Sequence, residues 1–149
     1  MIATPRLTVI GIGNRDRGDD AVGPIVCDLV KDLRLPGILT IVFEGSVLDL
    51  PIYWTGSDRV VVVDATEPAG TPGRITEFNG LSEQLVVPGS LSTHTIDVGT
   101  AIKLARALDR LPAQLTIIGI EAAQFEFGTE LTPAVQHAAG RVVMMIRRS

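Results

Sequence analysis

At 149 residues the chain has the length of one domain, able to bury roughly 70% of the surface that its unfolded form exposes. Apolar residues make up 46% and charged ones 20%, with a mean hydropathy of +0.33, which excludes intrinsic disorder. No apolar run approaches the roughly 18 residues of a membrane span, and the start has neither the basic patch nor the apolar stretch of a signal peptide. The expectation is therefore a single cytoplasmic domain over residues 1–149 with no membrane partner.

Leu7 to Ile12 is a short apolar run rich in β-branched residues, ending in Gly13-Asn14 as a buried parallel strand would. Val22, Ile25, Val26, Leu29, Val30 and Leu33 then recur at helical spacing, and Pro36-Gly37 ends that helix. Asp19 or Asp20 suits its N-cap. Ile38 to Phe43 is a second strand, Val47 to Thr55 a short helix broken or restarted near Pro51, and Arg59 to Asp64 a third strand that ends on a carboxylate. Two prolines and two glycines between Thr66 and Gly73 bring Arg74 to Phe78 back as a hairpin partner or edge strand. Leu81 to Ser92 reads as loop. Thr93 or Thr95 can cap a helix with apolar positions Val98, Ala101, Ile102, Ala105 and Leu108, and Leu115 to Ile120 is the next buried strand. The last helix is capped by Thr132, has Pro133 in its first turn, and presents Val135, Ala138, Ala139, Val142, Val143 and Ile146 as one stripe.

Strands alternating with helices, and no repeat or linker to divide them, define an α/β three-layer sandwich. Its twisted sheet is expected to have about five mainly parallel strands, with Arg74 to Phe78 antiparallel, and helices on both faces. Ligands then bind outside the carboxyl ends of the strands.

A net charge of −4, with 13 basic residues mostly scattered, offers no footprint for a phosphate backbone, so nucleic acid is not a partner. Neither lysine, Lys31 nor Lys103, follows a glycine-rich loop as a P-loop requires. The single cysteine, Cys27, excludes an internal disulfide and a multi-cysteine metal site. Cys27 lies mid-helix with nothing to lower its pKa, His137 falls on the polar face of the last helix, and no Gly-x-Ser-x-Gly elbow exists. Ser46 belongs to a strand-to-helix turn, and Trp54, Phe125 and Phe127 suit core or rim positions, with Phe125 to Leu131 able to shape a cleft.

What collects at the carboxyl edge is acid: Asp16, Asp19 and Asp20, then Glu44, then Asp64. Carboxylates brought together repel unless a cation or shared proton relieves them. His94, just ahead of a helix, stays neutral and able to ligate beside the positive end of the macrodipole. Two carboxylates and an imidazole leave open positions on a divalent ion. Gly11-Ile12-Gly13 with Glu44 also suggests a dinucleotide site, but Asp16 stands where the third glycine belongs, and Asp19 and Asp20 would repel a pyrophosphate.

The series Gly11-Ile12-Gly13-Asn14, Gly18-Asp19-Asp20-Ala21-Val22-Gly23-Pro24, Val63-Asp64-Ala65, His94, Gly119-Ile120-Glu121 and Leu131-Thr132-Pro133 resembles the hydrogenase maturation proteases. These trim the C-terminal extension from the large subunit of nickel-iron hydrogenases. The glycine-asparagine and Gly-Asp-Asp blocks are the most specific; Ala21 stands where many members have glycine. The resemblance implies an endopeptidase without a permanent cofactor or need for ATP, acting on a large-subunit precursor that carries inserted nickel and cutting just beyond its C-terminal cysteine motif. It implies Asp20, Asp64 and His94 as ligands of that nickel, with Asp20 or Asp64 as catalytic proton acceptor. It implies no particular oligomeric state. The alternatives are a non-catalytic, Rossmann-like nucleotide-binding module and a family relative with a changed substrate.

Overall fold

The computed structural model describes residues 5–44, 49–54, 59–82 and 93–149, the first five of the last segment by backbone alone. Five strands, β1 (Leu7–Ile12), β2 (Ile38–Phe43), β3 (Arg59–Thr66), β4 (Ile75–Asn79) and β5 (Gln114–Glu121), form one sheet in the order β2-β1-β3-β5-β4. All pair in parallel except β4, which runs antiparallel to β5 along one edge. This is the expected α/β sandwich, with Arg74 to Phe78 realised as an edge strand paired to β5.

Alternation along the buried strands sorts side chains between two helical layers. Leu7, Val9, Val61, Val63, Ala65, Ile118 and Ile120 pack under α1 (Val22–Asp32) and α4 (Pro133–Arg148). Ile10, Ile12, Val60, Val62, Leu115 and Ile117 pack under α2 (Leu50–Trp54) and α3 (Thr93–Ala107). By the same alternation Asp64 belongs to the α2 and α3 side. Among the described residues no helix is long and apolar enough to cross a membrane.

The chain leaves β1 through α1 to reach β2 on one side, then crosses to β3 on the other side of β1. Such a reversal opens a crevice between the carboxyl ends of β1 and β3. The start of α1 is wedged into it, since a Cβ on Gly23 would collide with the carbonyl oxygens of Ile12 and Val63. That close approach rotates α1 toward Gly23 and Cys27. Val22, Val26, Cys27 and Val30 are buried, whereas Leu29 is 39% exposed and Leu33 40%, and Ile25 and Leu29 line a groove beside α4.

Other differences are local. α2 covers Leu50–Trp54, so it begins beside Pro51, whose missing N–H is harmless in the first turn; Val47, Leu48 and Thr55 lie outside the described residues. β3 continues two residues past Asp64, because Ala65 and Thr66 still pair with Ile120 and Glu121. Leu108 lies beyond the end of α3 and is exposed. The stripe of α4 is buried at all six expected positions. Most of the 81–92 loop and Ser46 lie outside the described residues.

Candidate functional site

The loop after β1 is folded by its own side chains. Asn14 Oδ1 accepts the N–H of Asp16 at 2.9 Å, turning the chain back, and Asn14 N–H donates to Asp20 Oδ2 at 3.0 Å. Gly13 is required by that closure, because a Cβ there would strike the carbonyl oxygen of Asp20. A turn of 3-10 helix over Gly18–Ala21 then leads into α1. Neither Asp19 nor Asp20 caps α1; its N-cap is Ala21, which makes no side-chain cap bond.

The two neighbouring aspartates are both buried, Asp19 fully and Asp20 to 2% exposure, and they point to different partners. Asp19 is turned toward the segment between β5 and α4. Its Oδ2 accepts the N–H groups of Ala123 at 2.8 Å and Gln124 at 3.4 Å, and its Oδ1 accepts the N–H of Thr132 at 2.8 Å. The Thr132 hydroxyl lies 2.9 and 3.1 Å from the same carboxylate, so Thr132 occupies the N-cap position of α4 without capping it by side chain. Asp19 is a structural clasp. Asp20 lines a cleft of about 270 Å³ together with Ile12, Gly13, Asn14, Arg17, Phe43, Glu44 and Phe127.

Asp64 is 4% exposed near the carboxyl end of β3, and one of its partners is the N–H of Ala65 at 2.8 Å. The 3-10 turn carrying Asp20 packs against β3, the strand that carries Asp64. His94 is in the first turn of α3, and its side chain lies outside the described residues. Among the described residues no group of three His, Cys, Asp or Glu side chains is gathered as a metal site. The acidic edge expected from sequence is thus divided: Asp16 and Glu44 are exposed, Asp19 serves the fold, Asp20 lines the cleft and Asp64 is buried near the end of β3. Glu121, also buried, accepts the N–H of Thr71 and holds the turn before β4.

Sequence reasoning missed Arg17. Its Nε donates to the carbonyl of Phe125 at 3.2 Å, and its Cζ stands 5.4 Å from the centre of the Phe125 ring and 5.7 Å from that of Phe127. A lone basic residue between Asp16 and Asp19, and the Phe-x-Phe spacing, were the available signals. The expectation that Phe125 to Leu131 shapes a cleft holds for Phe127, which is 72% exposed on its rim.

His137 is exposed on α4, and Cys27 is buried with its Sγ 3.5 Å from the Ile41 carbonyl. Desolvation by burial pushes the Cys27 thiol up to about 11. It is therefore no nucleophile near neutral pH. Cys27→Ala is expected to retain full peptidase activity while losing about 1 kcal/mol of stability from the missing atom. The wild type should also lose stability between the ordinary thiol value and pH 11, where only the unfolded chain releases the proton, and the alanine variant should lack this slope. Denaturant melts at stepped pH check both.

The glycines of the supposed dinucleotide motif have other uses. Gly11 packs against the carbonyl of Gly23 as Gly13 does against that of Asp20, and a 3-10 turn stands between β1 and α1. Solved structures similar in fold include a nickel-iron hydrogenase maturation protease HybD from Thermococcus kodakarensis, at 24% identity over 96% of this chain and 97% of that one, with a TM-score of 0.76. A hydrogenase 2 maturation peptidase from a Thaumarchaeota archaeon is 28% identical over 96% of both chains, with a TM-score of 0.70. An endopeptidase from Escherichia coli is 21% identical over 95% of this chain and 89% of that one, with a TM-score of 0.79. No curated protein sequence matches significantly. The family model for hydrogenase maturation protease (HycI) matches residues 25–149. With that match spanning most of the fold, the chain belongs to the hydrogenase maturation protease family, the endopeptidases that cleave the C-terminus of the hydrogenase large subunit.

Proposed function

We propose that the chain removes the C-terminal extension of a nickel-iron hydrogenase large-subunit precursor after nickel insertion, and that Asp20, Asp64 and His94 close on the nickel the precursor brings. The observation that carries this reading is two buried carboxylates on neighbouring elements, Asp20 lining the cleft after β1 and Asp64 near the carboxyl end of β3, in a chain of this family. Two carboxylates and an imidazole are an acceptable donor set for nickel and leave positions for the precursor's own ligands.

The direction of α3 supports the third ligand. Its last turn is tied to the amino edge of the sheet, where Arg106 Nη2 donates to the Leu81 carbonyl at 3.0 Å and Gly80 N–H to the Leu115 carbonyl. Fifteen residues run about 22 Å from there. That is enough to bring the first turn, with His94, back toward the carboxyl edge on the face shared with Asp64.

When bound, the metal supplies Lewis acidity toward the scissile carbonyl or the attacking water. Asn14 N–H fixes the Asp20 carboxylate through Oδ2, and Asp20 or Asp64 takes the proton of that water. The chain itself keeps no resident cofactor in this scheme.

The test is cleavage of nickel-loaded and nickel-free precursor, read by the mass of the released tail. Wild-type protein should cut only the loaded form. Asp20→Asn should lower the rate by about 100-fold or more, since one ligand and possible base is lost, while its amide oxygen can still accept from Asn14 and preserve the melting temperature. Equal cleavage of both precursor forms, or a wild-type rate in Asp20→Asn, overturns the reading.

A further inference from the structure

The cleft holds a cation that the reading above does not use. Arg17 is half-buried, and its guanidinium carbon lies 5.4 Å from the centre of the Phe125 ring and 5.7 Å from that of the exposed Phe127. Its Nε is engaged by the Phe125 carbonyl, and the loop carrying it is stitched to the same segment by Gly128 N–H donating to the Asp16 carbonyl at 2.8 Å. Among the described residues no carboxylate pairs with Arg17; the ion pair found there joins Arg15 to Asp28 on the outer side of the loop. Asp20 and Glu44, which line the same cleft, bring negative charge without closing on it.

Two rings within cation–π range and the bond through Nε restrict the guanidinium, so its remaining N–H groups are presented with less entropy left to lose. A planar fork of this kind matches a carboxylate, which it can bind through two parallel hydrogen bonds. A neutral carbonyl would use only part of it.

We propose that Arg17 is a specificity-determining residue that binds an Asp or Glu side chain of the precursor within a few residues of the scissile bond. This rests on the cleft beside Asp20 being the precursor site. Arg17 and Asp20 lie three positions apart on one turn and line one cleft, so a segment whose nickel meets Asp20 has its neighbouring residues at Arg17. Phe127, with its exposed ring, acts as a positioning residue that holds the guanidinium in place.

The experiment measures kcat and KM on nickel-loaded precursor for wild type, Arg17→Gln, Arg17→Lys and Phe127→Ala, with a melting curve for each. Arg17→Gln should raise KM about 10-fold or more with kcat nearly unchanged, as expected when a ground-state charge-assisted contact is lost. Arg17→Lys should recover only part of the loss, because a point charge cannot replace the fork. Phe127→Ala should raise KM less and add little in the Arg17→Gln background. Added salt should raise KM of the wild type more than that of Arg17→Gln. Changing each acidic precursor residue near the cut to lysine should identify one that is cleaved better by Arg17→Glu than by wild type. Wild-type KM in a folded Arg17→Gln, a fall confined to kcat, or failure of every charge reversal overturns the proposal. A wild type that does not cut the loaded precursor overturns the underlying reading as well.

Discussion

Asp19→Ala should destabilise the protein by about 3–5 kcal/mol, because three backbone N–H groups and a hydroxyl lose their acceptor in the interior and each unmade buried bond costs about 1–3 kcal/mol. Four such bonds could cost about 4–12 kcal/mol, and the expected loss stays near the bottom of that range because water reaches the half-buried Ala123, Gln124 and Thr132. Against a typical total of about 5–15 kcal/mol, this is a large share. The melting temperature of a 149-residue domain should fall by on the order of 10 °C. The damage is expected to be spatially specific. Asp19 also donates its own N–H to the Gln124 carbonyl at 3.1 Å, so the segment between β5 and α4 is held to the loop after β1 mainly at this point. Hydrogen exchange should quicken at Ala123, Gln124 and Thr132 before it does in β1 or β3. A melting temperature within about 2 °C of wild type would show that water or a rearranged loop satisfies these donors, and that the clasp contributes little.

The largest functional effect is expected one residue and one strand away. Asp64→Asn and His94→Ala should each abolish precursor processing, a loss of about 100-fold or more, because an open three-ligand site loses much of its grip on a divalent ion when one strong donor goes. The fold should survive both changes. Asp64→Asn keeps an oxygen for the Ala65 N–H and removes a charge held out of water, so its melting temperature should equal or exceed that of the wild type. Combining Asp20→Asn with Asp64→Asn should be little worse than either alone, as happens when residues act as one unit. A cleavage assay on nickel-loaded precursor, run beside melting curves, separates the readings. Wild-type rates in either variant remove that residue from the ligand set. A melting temperature many degrees lower for Asp64→Asn would assign Asp64 to the fold, as Asp19 is.

The contrast between Asp19 and Asp20 marks the limit of what a sequence pattern could convey. Both follow Gly18, both are acidic, and either suits a helix N-cap. Nothing in their spacing distinguishes them, because the turn they occupy is a 3-10 helix. Successive side chains on it diverge widely, sending one toward β5 and α4 and the other into the cleft. The α1 stripe shows a related limit. Periodicity identifies an apolar arc but does not say which part of it meets the sheet, and the close approach of Gly23 to β1 and β3 turned the arc away from Leu29.

The order of strands and helices, the buried stripe of α4, the antiparallel edge strand and the location of acid at the carboxyl ends of β1 and β3 were determined by the sequence itself. Burial on both faces leaves unbroken β-branched runs, and burial on one leaves a helical stripe, so these features are recorded within a few neighbouring residues. The clasp that joins Asp19 to Thr132 spans 113 positions, and the contact from Arg17 to Phe125 spans 108. Only the tertiary structure could decide these, because the strand order that places the loop after β1 beside the segment after β5 depends on how the whole sheet assembles, and a short polar loop carries no periodicity to announce its distant partner.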